Sequence, residues 1–157
     1  MREPQPPESR LSPKDVYGLE RFVRAQAGGT YALALTELRN GQKQTHWMWF
    51  VFPQIAGLGE SATSRAYAIS SLDEARAYLA HPLLGARIVE CADALVRLKS
   101  RSAHRIFGTV DAQKLRSSMT LFAAAAPENP LFQHVLDFYF DGVRDVRTDE
   151  LLARRQS

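Results

Sequence analysis

Apolar side chains recur at helical spacing along most of this chain. Stripes at i, i+3, i+4 and i+7, or close variants, occupy residues 19–26, 31–38, 84–98, 115–122 and 132–139. A helix with one apolar stripe buries it by packing against neighbouring helices. No partner strands for a sheet are evident between the stripes. The pattern therefore predicts an all-α fold, a compact helical bundle of about seven to eight helices with little or no sheet.

Capping residues mark where several of these helices begin. Ser12 followed by Pro13 has the serine-then-proline order of a helix start. Ser71 and Glu74 form an S-x-x-E capping box, which satisfies backbone N–H groups of the first helical turn. Near the C-terminus, Thr148 is predicted to cap the last helix.

Three further stretches interrupt or end the helical pattern. Residues 102–107 predict a short helix that Gly108 closes, and residues 67–69 predict a short extended piece. Residues 55–64, IAGLGESATS, predict a glycine-rich polar loop. A loop of this length beside an apolar segment is a candidate lid or binding loop.

The first residues differ in composition from the rest of the chain. Residues 1–11 are polar and rich in proline, with nothing to bury, and predict a flexible leader. The remainder, residues 12–157, has no internal repeat and no second change in composition. We therefore expect residues 12–157 to form a single helical domain.

The chain is organised around residues 45–54, THWMWFVFPQ, which contain both tryptophans and no charged residue. Such a segment must be buried or must face a ligand. A short run of this kind fits either a buried strand or a short buried helix. We expect the helix, because no partner strand is evident elsewhere.

The composition excludes several classes of protein. With 45% hydrophobic and 24% charged residues, the chain is globular rather than disordered. Its single cysteine, Cys91, excludes an internal disulfide, lies on an apolar stripe and is expected to be buried. No run of about eighteen apolar residues is present to cross a membrane. We expect a soluble, cytoplasmic protein.

Charge and motifs limit the partners further. The net charge is +3 and the basic residues are scattered, which argues against a nucleic-acid partner. The four histidines have no ligand-like spacing, and no phosphate loop, zinc motif or dinucleotide-binding frame occurs. The sequence therefore predicts no metal and no cofactor.

One helical turn in the second half of the chain combines basic and hydroxyl side chains. It contains Lys114, Arg116, Ser117 and Ser118. Lysine, arginine and serine are the side chains that commonly bind phosphate oxygens. This turn is a candidate phosphate-binding element.

The aromatic stretch offers the complementary chemistry. Trp47 and Trp49 can line a binding site or stack on the ring of a ligand. His46 and Gln54 bring hydrogen-bonding groups to the two ends of the segment. His46 is the candidate catalytic proton carrier, because histidine is the residue type best suited to carry a proton at neutral pH. If the two elements converge, the pocket suits a nucleotide or another phosphorylated, ring-containing metabolite.

Each part also has a purely structural interpretation. Trp47 and Trp49 can be ordinary residues of the hydrophobic core, and His46 can be a structural histidine whose ring is hydrogen-bonded. Lys114 and Arg116 can lie on the solvent-exposed face of a helix. In that alternative the protein is a non-enzymatic structural or protein-interaction domain. The sequence leaves open whether the protein is an enzyme.

Four segments resemble the bacterial domain-of-unknown-function 1810 family. In chain order they are LERFVRAQ (residues 19–26), HWMWFVFPQIAGLG (46–59), AYLAHPLLGARIVEC (77–91) and KLRSSMTLFAAA (114–125). The resemblance implies a compact, mostly α-helical single domain without an assigned activity. Members are sometimes labelled calpastatin, but calpain inhibitors are long and disordered, unlike this chain.

A weaker similarity is to the NADAR (NAD- and ADP-ribose-associated) family of α-helical N-glycoside hydrolases. It covers the run from His46 to Gln54 and the basic helix start from Lys114 to Met119. This similarity implies an ADP-ribose-like ligand and N-glycoside hydrolysis. NADAR proteins, however, have a glutamate just before the histidine, where this chain has Thr45. Binding is therefore better supported than hydrolysis, for which Glu60 is a candidate substitute carboxylate.

Overall fold

The computed structural model describes residues 15–98 and 102–155. Within these residues the chain forms the following helices: α1 (Glu20–Gln26), α2 (Thr30–Arg39), α3 (Met48–Val51), α4 (Ala62–Ala66), α5 (Leu72–Ala80), α6 (Pro82–Arg97), α7 (Ala103–Ala125), α8 (Leu131–Phe140) and α9 (Val146–Arg155). One isolated parallel bridge, between Ile55 and Ile69, is the β pairing found in the described part. The prediction of an all-α fold is confirmed. The predicted leader and the predicted helix start at Ser12 lie outside the described residues.

Helix α7 is the centre of the packing. It contacts α5, α8 and α9, and α6 closes the other side against α2, α5 and α8. The predicted apolar stripes form this core, with Phe22, Leu38, Ile88, Phe122 and Val135 all buried. No helix in the described residues is both long and apolar enough to span a bilayer.

The aromatic stretch forms the single-turn helix α3, flanked by Trp47 and Phe52, both of which are buried. The Gln26 side chain in α1 donates to the Phe50 carbonyl at 2.7 Å and holds this turn against the core. The prediction of a short buried helix is confirmed. A strand would have needed a partner along its whole length, and Ile55 with Ile69 provides a single bridge after the turn has ended.

Two predicted boundaries are confirmed by their hydrogen bonds. Ser71 Oγ accepts from the Glu74 backbone N–H at 3.1 Å, which caps α5. Gly108 interrupts α7 with a φ of 80° and a ψ of 168°, so the short helix before it ends there as expected. A residue with a Cβ would be strained in that conformation.

The start of the last helix differs from the prediction. Thr148 does not cap α9, because the helix already begins at Val146. The cap is Asp145, whose carboxylate accepts from the Thr148 backbone N–H at 3.0 Å and also from the Thr148 hydroxyl. A carboxylate at the N-terminus of a helix is a stronger acceptor than a hydroxyl, since the helix dipole favours negative charge there.

Candidate functional site

An open groove of about 470 Å³ lies where the loop after α3 faces α7 and the start of α9. Its lining is the following: Gln54, Leu58, Gly59, Ser64, Thr109, Val110, Gln113, Lys114, Ser117, Asp145 and Arg147. The volume falls in the range of small-molecule sites, about 300–1,000 Å³. The predicted loop, residues 55–64, therefore forms one wall of a cavity, although its last residues belong to α4.

A smaller hollow of about 110 Å³ adjoins this groove. Trp49, Ile55, Ala56, Gly57, Arg65, Tyr67 and Ala68 line it, together with Gln54, Gly59 and Ser64, which line the groove as well. A Cβ on Gly59 would lie 2.5 Å from Ser64 Cβ, so the shared wall requires glycine at that position. We call the groove and the hollow together the two-part cavity.

The aromatic stretch and the basic turn meet at this cavity through one pair of side chains. The Lys114 ammonium lies 4.6 Å from the centre of the Trp49 ring, at cation–π distance. Asp111 holds the same ammonium at 3.6 Å, and it also pairs with Lys43 at 2.9 Å. Lys114 is thus fixed beside the indole by a weak ion pair and remains partly exposed to the groove.

Three other polar side chains of the lining are unengaged. Among the described residues, the side chains of Gln54, Arg65 and Arg147 form no hydrogen bond or ion pair with the protein. Gln54 is half-buried between the groove and the hollow, and both arginines are exposed at the rim. These groups can hydrogen-bond a ligand without giving up a protein partner.

Arg21 helps to hold in place the wall of the hollow that carries Tyr67. Arg21 in α1 donates to the Ala66 carbonyl at 2.8 Å and to the Ala68 carbonyl at 2.7 Å. Its guanidinium also pairs with the buried Glu74 at 2.9 Å. These bonds tie α1 to the end of α4 and the start of α5, so the hollow has a fixed backbone wall.

The carboxylate of the groove, Asp145, already accepts hydrogen bonds from the protein. Asp145 accepts from Ser117 Oγ at 3.2 Å and from Gln113 Nε2 at 3.0 Å, besides its two bonds to Thr148. Ser117 therefore lines the groove, but its hydroxyl already has the Gln113 carbonyl and Asp145 as partners. Asp145 fixes the junction of α7 with α9, which carries Arg147.

Two predicted residues of the basic turn lie away from the two-part cavity. Arg116 places its guanidinium 5.2 Å from the centre of the Phe140 ring, on the side of α7 that faces α8. Ser118 is fully buried, and its hydroxyl has no hydrogen-bond partner among the described residues. Arg116 is two residues from Lys114 and points to nearly the opposite side of the helix, whereas Ser118 is four residues from Lys114 and is kept from the cavity by its burial in the core.

Two predicted residues of the aromatic stretch are also absent from the lining of the cavity. Trp47 is 1% exposed, and its indole N–H donates to Glu37 at 2.8 Å. His46, the candidate proton carrier, is exposed beside it. Glu60, the candidate substitute carboxylate, is exposed in the loop and does not line the cavity either.

A buried carboxylate holds the entry to the aromatic stretch. Glu37 of α2 accepts four hydrogen bonds: from the backbone N–H groups of Gln44 and Thr45, from the Thr45 hydroxyl and from the Trp47 indole. Burial alone would raise the pKa of Glu37, but these bonds outweigh it and lower the pKa to about 2. Thr45 is thus bonded to a structural carboxylate.

Sequence reasoning missed Arg65, Tyr67, Asp145 and Arg147 as parts of the site. Asp145 had a usable signal, because aspartate is a preferred N-cap residue and lies just before the predicted last helix. Arg65 and Tyr67 had none, since only the bridge between Ile55 and Ile69 brings that segment beside the aromatic stretch. The described residues contain no group of three or more histidine, cysteine, aspartate or glutamate side chains placed to hold a metal ion.

Comparison with known proteins identifies the family. The chain matches a crystal structure, solved at 1.38 Å, of the conserved hypothetical protein Rv1873 from Mycobacterium tuberculosis. The TM-score is 0.86 at 51% identity, and the match covers 88% of this chain and 99% of that one. No curated protein matches the chain. The profile of a family described as protein of unknown function (DUF1810) matches residues 16–152. The chain belongs to this DUF1810 family.

Proposed function

We propose that the protein binds a phosphorylated, ring-containing small molecule, such as a nucleotide or an ADP-ribose-like ligand, in the two-part cavity. The observation that carries the proposal is the Lys114 ammonium, 4.6 Å from the Trp49 ring at the junction of the groove and the hollow. A cation beside an aromatic face offers phosphate binding and ring contact within one ligand's length.

The charge of the cavity supports an anionic ligand. Arg65, Lys114 and Arg147 contribute positive charge to the lining, and Asp145 contributes the one negative side chain among the described lining residues. The two arginines are free of protein partners in the part of the chain that the structure describes. A phosphate group would therefore gain charge-assisted hydrogen bonds without displacing existing ones.

Binding is better supported than hydrolysis. A glycosidic cleavage needs a carboxylate that can reach the ligand and stabilise positive charge. The carboxylate of the groove, Asp145, is occupied by four donors, three from side chains and one from the backbone. We therefore assign the groove to binding, with Trp49 and Gln54 at the ring and Lys114 and Arg147 at the phosphate.

Lys114→Ala is expected to weaken the binding of a phosphorylated ligand about tenfold or more, which is ~1.4 kcal/mol of binding free energy. The loss follows from removing the cation that lies beside Trp49. Isothermal titration calorimetry with nucleoside monophosphates, NAD and ADP-ribose measures it, after a thermal-shift screen has selected the ligands that raise Tm.

Arg24→Ala is the matched control, because it removes the same charge from an exposed position on α1. It is expected to change the affinity less than about twofold, through long-range electrostatics alone. Equal losses in the two variants would mean that the ligand responds to net charge and not to the groove. A screen in which no phosphorylated ligand raises Tm would remove the proposal.

A further inference from the structure

The hollow beside Trp49 is much smaller than the groove that it joins. Its volume is about 110 Å³, against about 470 Å³ for the groove. An apolar cavity of about 150 Å³ accommodates benzene, which gives a scale for one six-membered ring. The hollow is smaller than this scale and opens into the groove, so it holds at most one ring, part of which extends into the groove, and not two fused rings.

The walls of the hollow resist widening. Ala56 N–H donates to the Ile69 carbonyl and Ile69 N–H to the Gln54 carbonyl, both at 2.8 Å. On the same side, Arg21 holds the Ala66 and Ala68 carbonyls. Widening the hollow to enclose a fused bicyclic ring would disrupt these bonds, among them those of the buried Ile69.

The polar groups around the hollow suit a ring with hydrogen-bonding edges. The Gln54 amide and the Arg65 guanidinium are unengaged among the described residues, and Ser64 Oγ has one bond, from Ser61. Gln54, Gly59 and Ser64 also line the groove, so a ligand can pass continuously from one compartment to the other.

We infer that the hollow selects a phosphorylated ligand with a monocyclic polar ring, a pyrimidine, a nicotinamide or a pentose, and excludes purine bases. The ring occupies the hollow against Trp49, and the phosphate lies in the groove at Lys114 and Arg147. This inference rests on the proposed function and specifies its ligand class.

The test compares two sets of ligands on the full-length protein by calorimetry. The monocyclic set is cytidine monophosphate, uridine monophosphate, nicotinamide mononucleotide and ribose 5-phosphate; the purine set is adenosine and guanosine monophosphate. At least one monocyclic ligand is expected to bind about tenfold more tightly than both purine nucleotides. Purine nucleotides that bind equally or more tightly would overturn the inference and leave the proposed function standing. No binding in either set would overturn both.

A substitution that fills the hollow tests independently whether the ring of the ligand binds there. Ala56 lines the hollow and not the groove, so Ala56→Leu is expected to weaken monocyclic ligands about tenfold. Inorganic pyrophosphate, which needs the groove alone, is expected to bind the variant within about twofold of the wild type, which also shows that the variant is folded. Unchanged affinity for the monocyclic ligands in this variant would contradict the placement of the ring.

Discussion

Trp47→Ala is expected to lower the free energy of unfolding by about 3–5 kcal/mol, the usual cost of deleting a large buried aromatic side chain. Trp47 is 1% exposed and packs against Phe52 and Phe107 at ring-centre distances of 6.3 and 6.5 Å. The variant also removes a donor to the buried Glu37 carboxylate. Urea denaturation at neutral pH, followed by circular dichroism, measures the change.

Trp49→Ala is the matched control, since both variants delete an indole from the same short segment. Trp49 is only partly buried and contacts Lys114 at the cavity, so its loss is expected to cost no more than about 1–2 kcal/mol. Ligand binding is expected to fail in Trp49→Ala and to survive in Trp47→Phe, which keeps most of the buried volume. Equal destabilisation by the two alanine variants would show that the two indoles are equivalent.

The sequence left open whether the aromatic stretch is core or lines a ligand site, and each interpretation fits one of the two tryptophans. Trp47 fits the alternative in which the aromatic stretch is core, while Trp49 lines the cavity on which the binding proposal rests. Neither interpretation applies to the whole segment. In a one-turn helix, residues two apart lie on different faces, so one indole turns inward and the next turns towards the cavity.

Most of the fold could be predicted because local rules determine it. The stripes around Leu38, Ile88 and Phe122 have helical spacing, and those side chains are buried as the spacing requires. The start of α9 was wrong by a few residues, since Asp145 and Thr148 are both good caps and the sequence does not rank them. Such errors shift a boundary without changing which helices pack together.

The candidate site was less predictable, because it depends on the direction in which each side chain points and on contacts between segments far apart in the sequence. Treating Lys114, Arg116, Ser117 and Ser118 as one basic turn ignored helical periodicity, which turns Arg116, two residues from Lys114, to the other side of the helix. Ser118 is four residues from Lys114, and its burial in the core is what removes it from the cavity. Spacing along the chain could have excluded Arg116 from the face of the helix that carries Lys114. It could not have placed Arg147 in the same groove as Lys114, because that depends on how α9 packs against α7.

Glu37→Gln is expected to destabilise the protein at neutral pH and to remove part of its sensitivity to acid. The Glu37 carboxylate is 4% exposed and accepts four hydrogen bonds, which lower its pKa from the ordinary 4.5 to about 2. The amide oxygen can replace Oε1 as the acceptor of the three N–H groups, but a neutral oxygen accepts them more weakly than a carboxylate, and the Thr45 hydroxyl must turn to accept from the new amide N–H. We expect a loss of about 3 kcal/mol at pH 7, near the value that the pKa difference implies.

The direction of the pH dependence follows from which state binds the proton more tightly. A carboxylate whose pKa is lower in the folded protein stabilises the fold fully above its unfolded pKa, here 4.5. That contribution disappears as the pH falls from 4.5 towards 2, because the unfolded chain takes up a proton that the folded protein does not. Urea denaturation at several pH values should therefore show wild-type stability falling across this window, with a shallower fall in Glu37→Gln.

Glu128→Gln provides the control, because it removes the same charge from an exposed turn between α7 and α8. It is expected to leave both the neutral-pH stability and the acid-induced fall close to those of the wild type. A Glu37→Gln variant with the full acid dependence of the wild type would mean that Glu37 is not the anchor of residues 44–47. Glu37 also fixes the chain just before Trp49, the indole of the cavity. Glu37→Gln is therefore expected to weaken ligand binding as well, when affinities are compared at equal concentrations of folded protein.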